Sequence, residues 1–121
     1  MNMVYSECFV VTLADCISQI DETLPSLLGT YTLVKWMEII SAKNINRSID
    51  TERYITVGQE VAIIHTGIGK LGDEVMIVSH LVQQKKRESY FEIEAIIAGE
   101  QIAKATHKRV SMPLRVLQRL V

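Results

Sequence analysis

Three residues of this 121-residue chain have the type and setting to do chemistry. Glu38 stands in Leu33-Val34-Lys35-Trp36-Met37-Glu38-Ile39-Ile40, a run apolar on nearly every side. A helix that is apolar all round is a buried one, and a carboxylate inside it needs a partner or a task. Strongly perturbed acids gather at functional sites. His65 closes an alternating stretch, and imidazole is the side chain whose charge changes near neutral pH. Thr30 follows Gly29 at the start of the apolar run and reads as its N-cap. Gly67 and Gly69 come just after His65, where glycines mark a bulge or the close approach of another group. Eight residues at ~1.5 Å each set Thr30 and Glu38 about 12 Å apart along one helix. Two such groups serve one pocket only if a substrate lies between them, or if one comes from a second subunit.

The elements that must position these groups are legible in outline. Met3 to Leu13, rich in β-branched and aromatic residues, predicts a first strand. Ala14 to Thr23 is polar and predicts a loop or a short irregular helix. The helix is expected from Thr30 to about Ser48. Tyr54 to Ile68 reads as a second strand, with Val57, Val61, Ile63 and His65 on one face and Glu60, Ala62, Ile64 and Thr66 on the other. Val75 to Lys86 follows as a third strand, and Lys85-Lys86-Arg87-Glu88-Ser89 as a charged hairpin. Tyr90 to Ala98 alternates cleanly, turning Phe91, Ile93, Ala95 and Ile97 inward. Gln101 to Val110 carries the small residues Ala103 and Ala105 on one face, where a helix can lie close. Pro113 ends that strand, and Leu114 to Leu120 suggests a short C-terminal helix or a last strand. A helix segregated to one face of an antiparallel sheet is an α+β arrangement, here a sheet wrapped around one buried helix.

Bulk properties narrow the function classes. The length predicts one domain, residues 1–121, with a modest core. A net charge of −1 favours neither nucleic acid nor an anionic membrane surface. No apolar run reaches the ~18 residues of a membrane span, and no cleavable basic-apolar leader is visible. Cys8 and Cys16 match no metal spacing and read as free thiols of a cytoplasmic protein. The histidines are far apart, so no metal site is expected. Gly67-Ile68-Gly69 lacks the rest of a dinucleotide fingerprint. A small domain with so apolar a helix is expected to bury more surface by pairing with a copy of itself.

Four short segments carry a family resemblance. Leu24-Pro25-Ser26-Leu27-Leu28-Gly29-Thr30 leads into the apolar helix, and Glu38 comes eight positions after Thr30. Val57-Gly58 opens the strand that carries His65, and Ala105-Thr106-His107-Lys108-Arg109 fills the place of a late Thr-His segment. In this order and with these gaps, the region from Leu24 to Val110 resembles the hotdog-fold acyl-CoA thioesterases, closest to the fluoroacetyl-CoA-thioesterase-like branch. The chain departs from that pattern with Tyr31 in place of a proline, Leu24 in place of an aromatic residue, and Lys108 in place of an acid.

The resemblance implies a hotdog fold, an antiparallel sheet of five or six strands around one long helix. It also implies hydrolysis of an acyl-CoA thioester without metal or other cofactor. It carries over Thr30, Glu38 and His65 as catalytic residues. Thioester hydrolysis needs an activated water or nucleophile, a proton shuttle and oxyanion donors. Glu38 would be general base or nucleophile, His65 the shuttle to the leaving thiolate, and Thr30 would orient the water or bond Glu38. Leu24, Tyr31, Thr66, Gly67 and Gly69 would line the substrate site, the last two offering amides or room for the pantetheine arm. Lys85-Lys86-Arg87, or Lys108 with Arg109, would meet the coenzyme's phosphates. The assembly implied is a homodimer, or a dimer of dimers, with pockets at the subunit boundary. The competing readings are a non-catalytic acyl-CoA-binding hotdog protein, a hotdog dehydratase or hydratase, whose His-Phe-Pro stretch is missing here, and a purely structural assembly protein.

Overall fold

The computed structural model describes residues 3–121. Strand β1 (Met3–Val10) leads through two 3-10 turns, Leu13–Asp15 and Ile17–Gln19, to helix α1 (Thr30–Asn46). Four strands follow, β2 (Tyr54–His65), β3 (Glu74–Lys85), β4 (Glu88–Ile97) and β5 (Glu100–Pro113), and then a short helix α2 (Leu114–Gln118). All strand pairs are antiparallel, in the order β1-β3-β4-β5-β2. The α+β arrangement, with one long helix lying against a five-stranded sheet, is the expected one. Two irregular turns occupy the segment expected to be loop or irregular helix.

The helix buries one face, not all of them. Thr32, Leu33, Trp36, Met37, Ile40, Ser41, Asn44 and Ile45 are buried, a spacing of three and four that draws one stripe along α1. Tyr31 and Lys35 are exposed, and Glu38 and Ile39 are half-buried. Apolar Val34 and Ile39 flank the stripe, which is why residue type alone made the run look buried all round. Phe91, Ile93 and Ala95 of β4 meet this stripe as expected. Trp36 stacks on Phe9 of β1 with ring centroids 4.7 Å apart. Lower on the helix, Ser41 Oγ lies 2.9 Å from Ser79 Oγ, and the Asn44 amide donates to the carbonyls of Met3 and Ser79. These bonds satisfy polar atoms that packing against β1 and β3 would otherwise strand.

Strand β2 carries an irregularity that alternation could not reveal. Gly58 pairs with Arg109 and Glu60 with Lys108, so Gln59 is an extra residue. Such a bulge reverses the faces of everything before it. Val61, Ile63 and His65 share the helix-facing side with Thr56 and Gly58, and Val57, expected with them, lies on the other face. Pro113 ends β5 as anticipated, since it cannot donate to a ladder.

Candidate active site

Two clusters of polar groups lie under α1, one at its start and one two turns along. The first is built by the chain leading into the helix. The Leu28 N–H donates to the Gly69 carbonyl at 2.9 Å, and Leu27 bridges to Lys70. This ties the helix start to the segment just beyond β2. The N-cap is Gly29, in extended conformation; Thr30 is the first helical residue and makes no cap bond. Its hydroxyl is spent elsewhere: Thr30 Oγ1 lies 2.9 Å from His65 Nδ1. The expectation of an N-capping Thr30 is thus corrected, and so is a Thr30 bond to Glu38. The other nitrogen, His65 Nε2, is shut off from solvent and has no hydrogen-bond partner among the described residues. An unpaired buried donor or acceptor costs about 1–3 kcal/mol, a cost that a ligand or a second chain at this point would relieve.

Several candidate lining residues are occupied by the protein itself. The N–H of Gly67 donates to the Ile102 carbonyl at 2.9 Å, so it is not a free oxyanion donor. A Cβ on Gly67 would come within 2.9 Å of the Ile102 Cα, and one on Gly69 within 2.8 Å of the Leu28 Cβ. The close approach these glycines permit is that of neighbouring chain, not of a ligand. Thr66 also donates its N–H to Ile102. Tyr31 donates its hydroxyl to the Cys16 carbonyl at 2.8 Å and lays its ring over Gly29. Leu24 is exposed in the preceding loop.

The second cluster surrounds Glu38. Its carboxylate is 43% exposed and stands 3.9 Å from Nη1 of Arg109, which is only 8% exposed. The sequence reading of a fully buried acid is corrected on this point. Gly58 faces it so closely that any Cβ there would collide with Glu38 Oε1. Arg109 Nε donates to Thr56 Oγ1 and Nη2 to the Thr56 carbonyl, both at 2.9 Å. His107 Nε2 lies 3.1 Å from Arg109 Nη1, and its Nδ1 lies 2.8 Å from the Glu60 carbonyl. Burial, and then the Arg109 charge, hold the His107 imidazole below its ordinary value of 6.5 against the opposing pull of the Glu60 carbonyl and Glu38.

Within one chain, then, Glu38 and His65 do not meet. Glu38 stands against Gly58 in the first half of β2, and His65 ends that strand beneath Thr30. Glu38 stands against Gly58 and Arg109, and Thr56 and His107 hold Arg109 in turn; Arg109 was expected at the coenzyme's phosphates, and Thr56, Gly58 and His107 had no expected role at the site. A signal was present in β5, where alternation puts His107 and Arg109 at inward positions beside Ala103 and Ala105. Arg109, buried here, is not available to solvent-borne phosphates, and Lys108 pairs with Glu88. A cleft of about 710 Å³ opens on the other face of the sheet, along Ile64, His80, Val82, Glu94 and Lys104, and none of Thr30, Glu38 and His65 lines it. Cys8 and Cys16 are free. No cluster of metal-ligating groups occurs among the described residues, and no described helix is long and apolar enough to cross a membrane.

Solved structures place this fold. A variant of the fluoroacetyl-CoA-specific thioesterase FlK, in complex with fluoroacetate and CoA, superposes with a TM-score of 0.86 at 17% identity, over 97% of this chain and 98% of that one. The Thermus thermophilus protein TTHA0967, a thioesterase superfamily member, gives 0.87 at 23% identity, over 99% and 87%. A hot-dog-like protein from Thermanaerovibrio acidaminovorans gives 0.89 at 14% identity, over 98% and 87%. These likenesses identify the hotdog fold. No curated protein sequence matches the chain significantly. Residues 11–114 match the family described as fluoroacetyl-CoA-specific thioesterase, and they span all the elements that position both clusters. By that match the chain belongs to the fluoroacetyl-CoA-specific thioesterase family.

Proposed function

We propose that this protein is a homodimeric acyl-CoA thioesterase, one hotdog domain per subunit, whose active sites are shared between two chains. The observation that carries the reading is the Thr30–His65 hydrogen bond on the same helix that bears Glu38, with His65 Nε2 left unpartnered. Thr30 donates its hydroxyl proton to Nδ1, which makes Nε2 an N–H donor. That donor is suited to the thioester oxygen or the departing sulfur. Glu38 takes a proton from water, the water oxygen bonds to the acyl carbon, the carbon–sulfur bond breaks, and the proton ends on the coenzyme A thiolate.

The fold supports the second chain. Strand β2 is at the sheet edge, bonded only to β5. Twelve residues of edge are a ready template for another strand. Antiparallel pairing about a twofold axis near Val61 and Ala62 brings the Gly58 end of one β2 beside the His65 end of the other. Glu38 of each subunit then approaches the His65–Thr30 pair of its partner. Free Cys8 and Cys16 fit a reducing, cytoplasmic setting.

The test is release of free thiol from a panel of short and medium acyl-CoAs. Turnover by the wild type and its loss in Glu38→Gln are expected. Tight acyl-CoA binding without thiol release would make the protein a binding module, and full activity in Glu38→Gln would remove that carboxylate from the reaction.

A further inference from the structure

His107 takes no part in the chemistry above, yet both of its ring nitrogens are committed. Nδ1 lies 2.8 Å from the Glu60 carbonyl oxygen, which can only accept, so Nδ1 carries the proton. Nε2 is then a bare acceptor, 3.1 Å from Nη1 of Arg109, which can only donate. The neighbours on both sides therefore select one neutral tautomer. The Glu60 carbonyl belongs to the β2 bulge, so the imidazole is anchored to the one irregular point of that strand. Thr56 takes two further donors of the guanidinium. Three acceptors thus fix the Arg109 fork, and Glu38 is the one carboxylate within ion-pair range of it among the described residues.

We propose that His107 is a positioning residue: held by the bulge carbonyl as its neutral Nδ1–H tautomer, it fixes Arg109 so that the guanidinium orients the Glu38 carboxylate over Gly58. The proposal rests on the reading of Glu38 as the catalytic base. The alternative is an ordinary core histidine packed against Phe91, whose ring centroid is 5.9 Å away. The two differ in what protonation does. A proton on Nε2 would set an N–H against an N–H of Arg109 and release the fork. The groups facing His107 are Arg109 on its own strand, Glu38 from α1, the Glu60 carbonyl from β2 and the uncharged Phe91 from β4.

Steady-state kinetics of the dimeric protein tests this. His107→Leu is expected to lower kcat by about 10²-fold, the usual penalty for a misplaced catalytic group, with KM nearly unchanged. His107→Gln keeps a donor for Glu60 and an acceptor for Arg109, so it should recover most of that loss and abolish the acid limb contributed by the imidazole. In a Glu38→Gln background, His107→Leu should lower the residual rate no further, because its effect passes through Glu38. An equal loss in both backgrounds, or a Gln variant no better than Leu, overturns the proposal. If His107→Leu fails to fold, Thr56→Val removes the hydroxyl that accepts from Arg109 Nε while keeping the Thr56 carbonyl, and a smaller loss of kcat with KM nearly unchanged is expected. Full activity in Glu38→Gln would instead defeat the reading of Glu38. Apart from turnover, ring ¹⁵N spectra must show Nδ1 protonated and Nε2 bare at neutral pH, and the opposite tautomer overturns the proposal outright.

Discussion

Thr30 Oγ1 and His65 Nδ1 meet at 2.9 Å across 35 positions of sequence, while Glu38, two helical turns beyond Thr30, faces Gly58 and Arg109. One helix thus presents a hydroxyl–imidazole pair at its start and a carboxylate further on. That division makes separate demands of each residue.

Removing the hydroxyl should disorient the imidazole without disturbing the core, because Thr30 is exposed. Thr30→Val is expected to lower kcat by roughly 10²–10⁴-fold, the range for a lost acid–base arrangement. Thr30→Ser should retain most of the rate. Thiol-release assays on both variants check this. Equal rates in the two would mean that the hydroxyl does nothing for His65.

A side chain at Gly58 is predicted to be incompatible with the observed position of Glu38. A Cβ there would occupy the space of Glu38 Oε1, with His107 Cε1 3.2 Å away. The carboxylate is half-exposed and can swing outward, so Gly58→Ala should leave the protein folded. It should displace Glu38 from Arg109 and cut kcat by about 10²-fold, the scale of a 1 Å misplacement. A crystal structure of the variant should show the carboxylate moved. An unmoved Glu38 with full activity would contradict the site described above.

The sequence disclosed the fold more readily than the site, for physical reasons. Strands β3, β4 and β5 have one buried face, and burial imprints period two on residue type. Phe91, Ile93 and Ala95 were legible for that reason. The Gln59 bulge left no such imprint, because its consequence is a change of face that the apolar Val57 masks. Glu38 stands out in the sequence by its apolar neighbours, which suggest burial, yet its side chain is 43% exposed. The flanking positions Val34 and Ile39 are apolar without being deeply buried. The resemblance put Thr30 and His65 in one site but not in contact, since no local pattern reports a bond across 35 positions. Alternation along β5 places His107 and Arg109 on the inward face, but residue type does not mark them as a pair, because a buried polar pair looks, in sequence, like a solvated one.

Two damaged proteins should repair each other if the active site is shared. In a mixed dimer of Glu38→Gln and His65→Ala subunits, one site has lost both groups and the other has kept both. Random mixing makes half the dimers mixed, so activity should return to about a quarter of the wild-type level. Each variant alone should be nearly inactive. If mixing after subunit exchange gives no recovery, Glu38 and His65 do not act across the subunit boundary. Sedimentation showing only monomer at micromolar concentration would remove the arrangement altogether.

His107 should also leave a mark on stability. Its folded-state pKa lies below the ordinary 6.5, because burial and the Arg109 charge disfavour the imidazolium. Below about pH 6.5 the unfolded chain therefore binds a proton that the native state refuses. Stability attributable to this residue is complete above that pH and is lost as the pH falls from about 6.5 toward the depressed native value. One proton corresponds to a slope of at most about 1.4 kcal/mol per pH unit. Urea unfolding from pH 5 to 7.5, at fixed protein concentration so that dimerisation is held constant, should show this decline in the wild type. His107→Gln, which has nothing to titrate, should flatten it. An unchanged slope in that variant would mean that other groups account for the acid sensitivity and that the buried imidazole is protonated as readily as one in water.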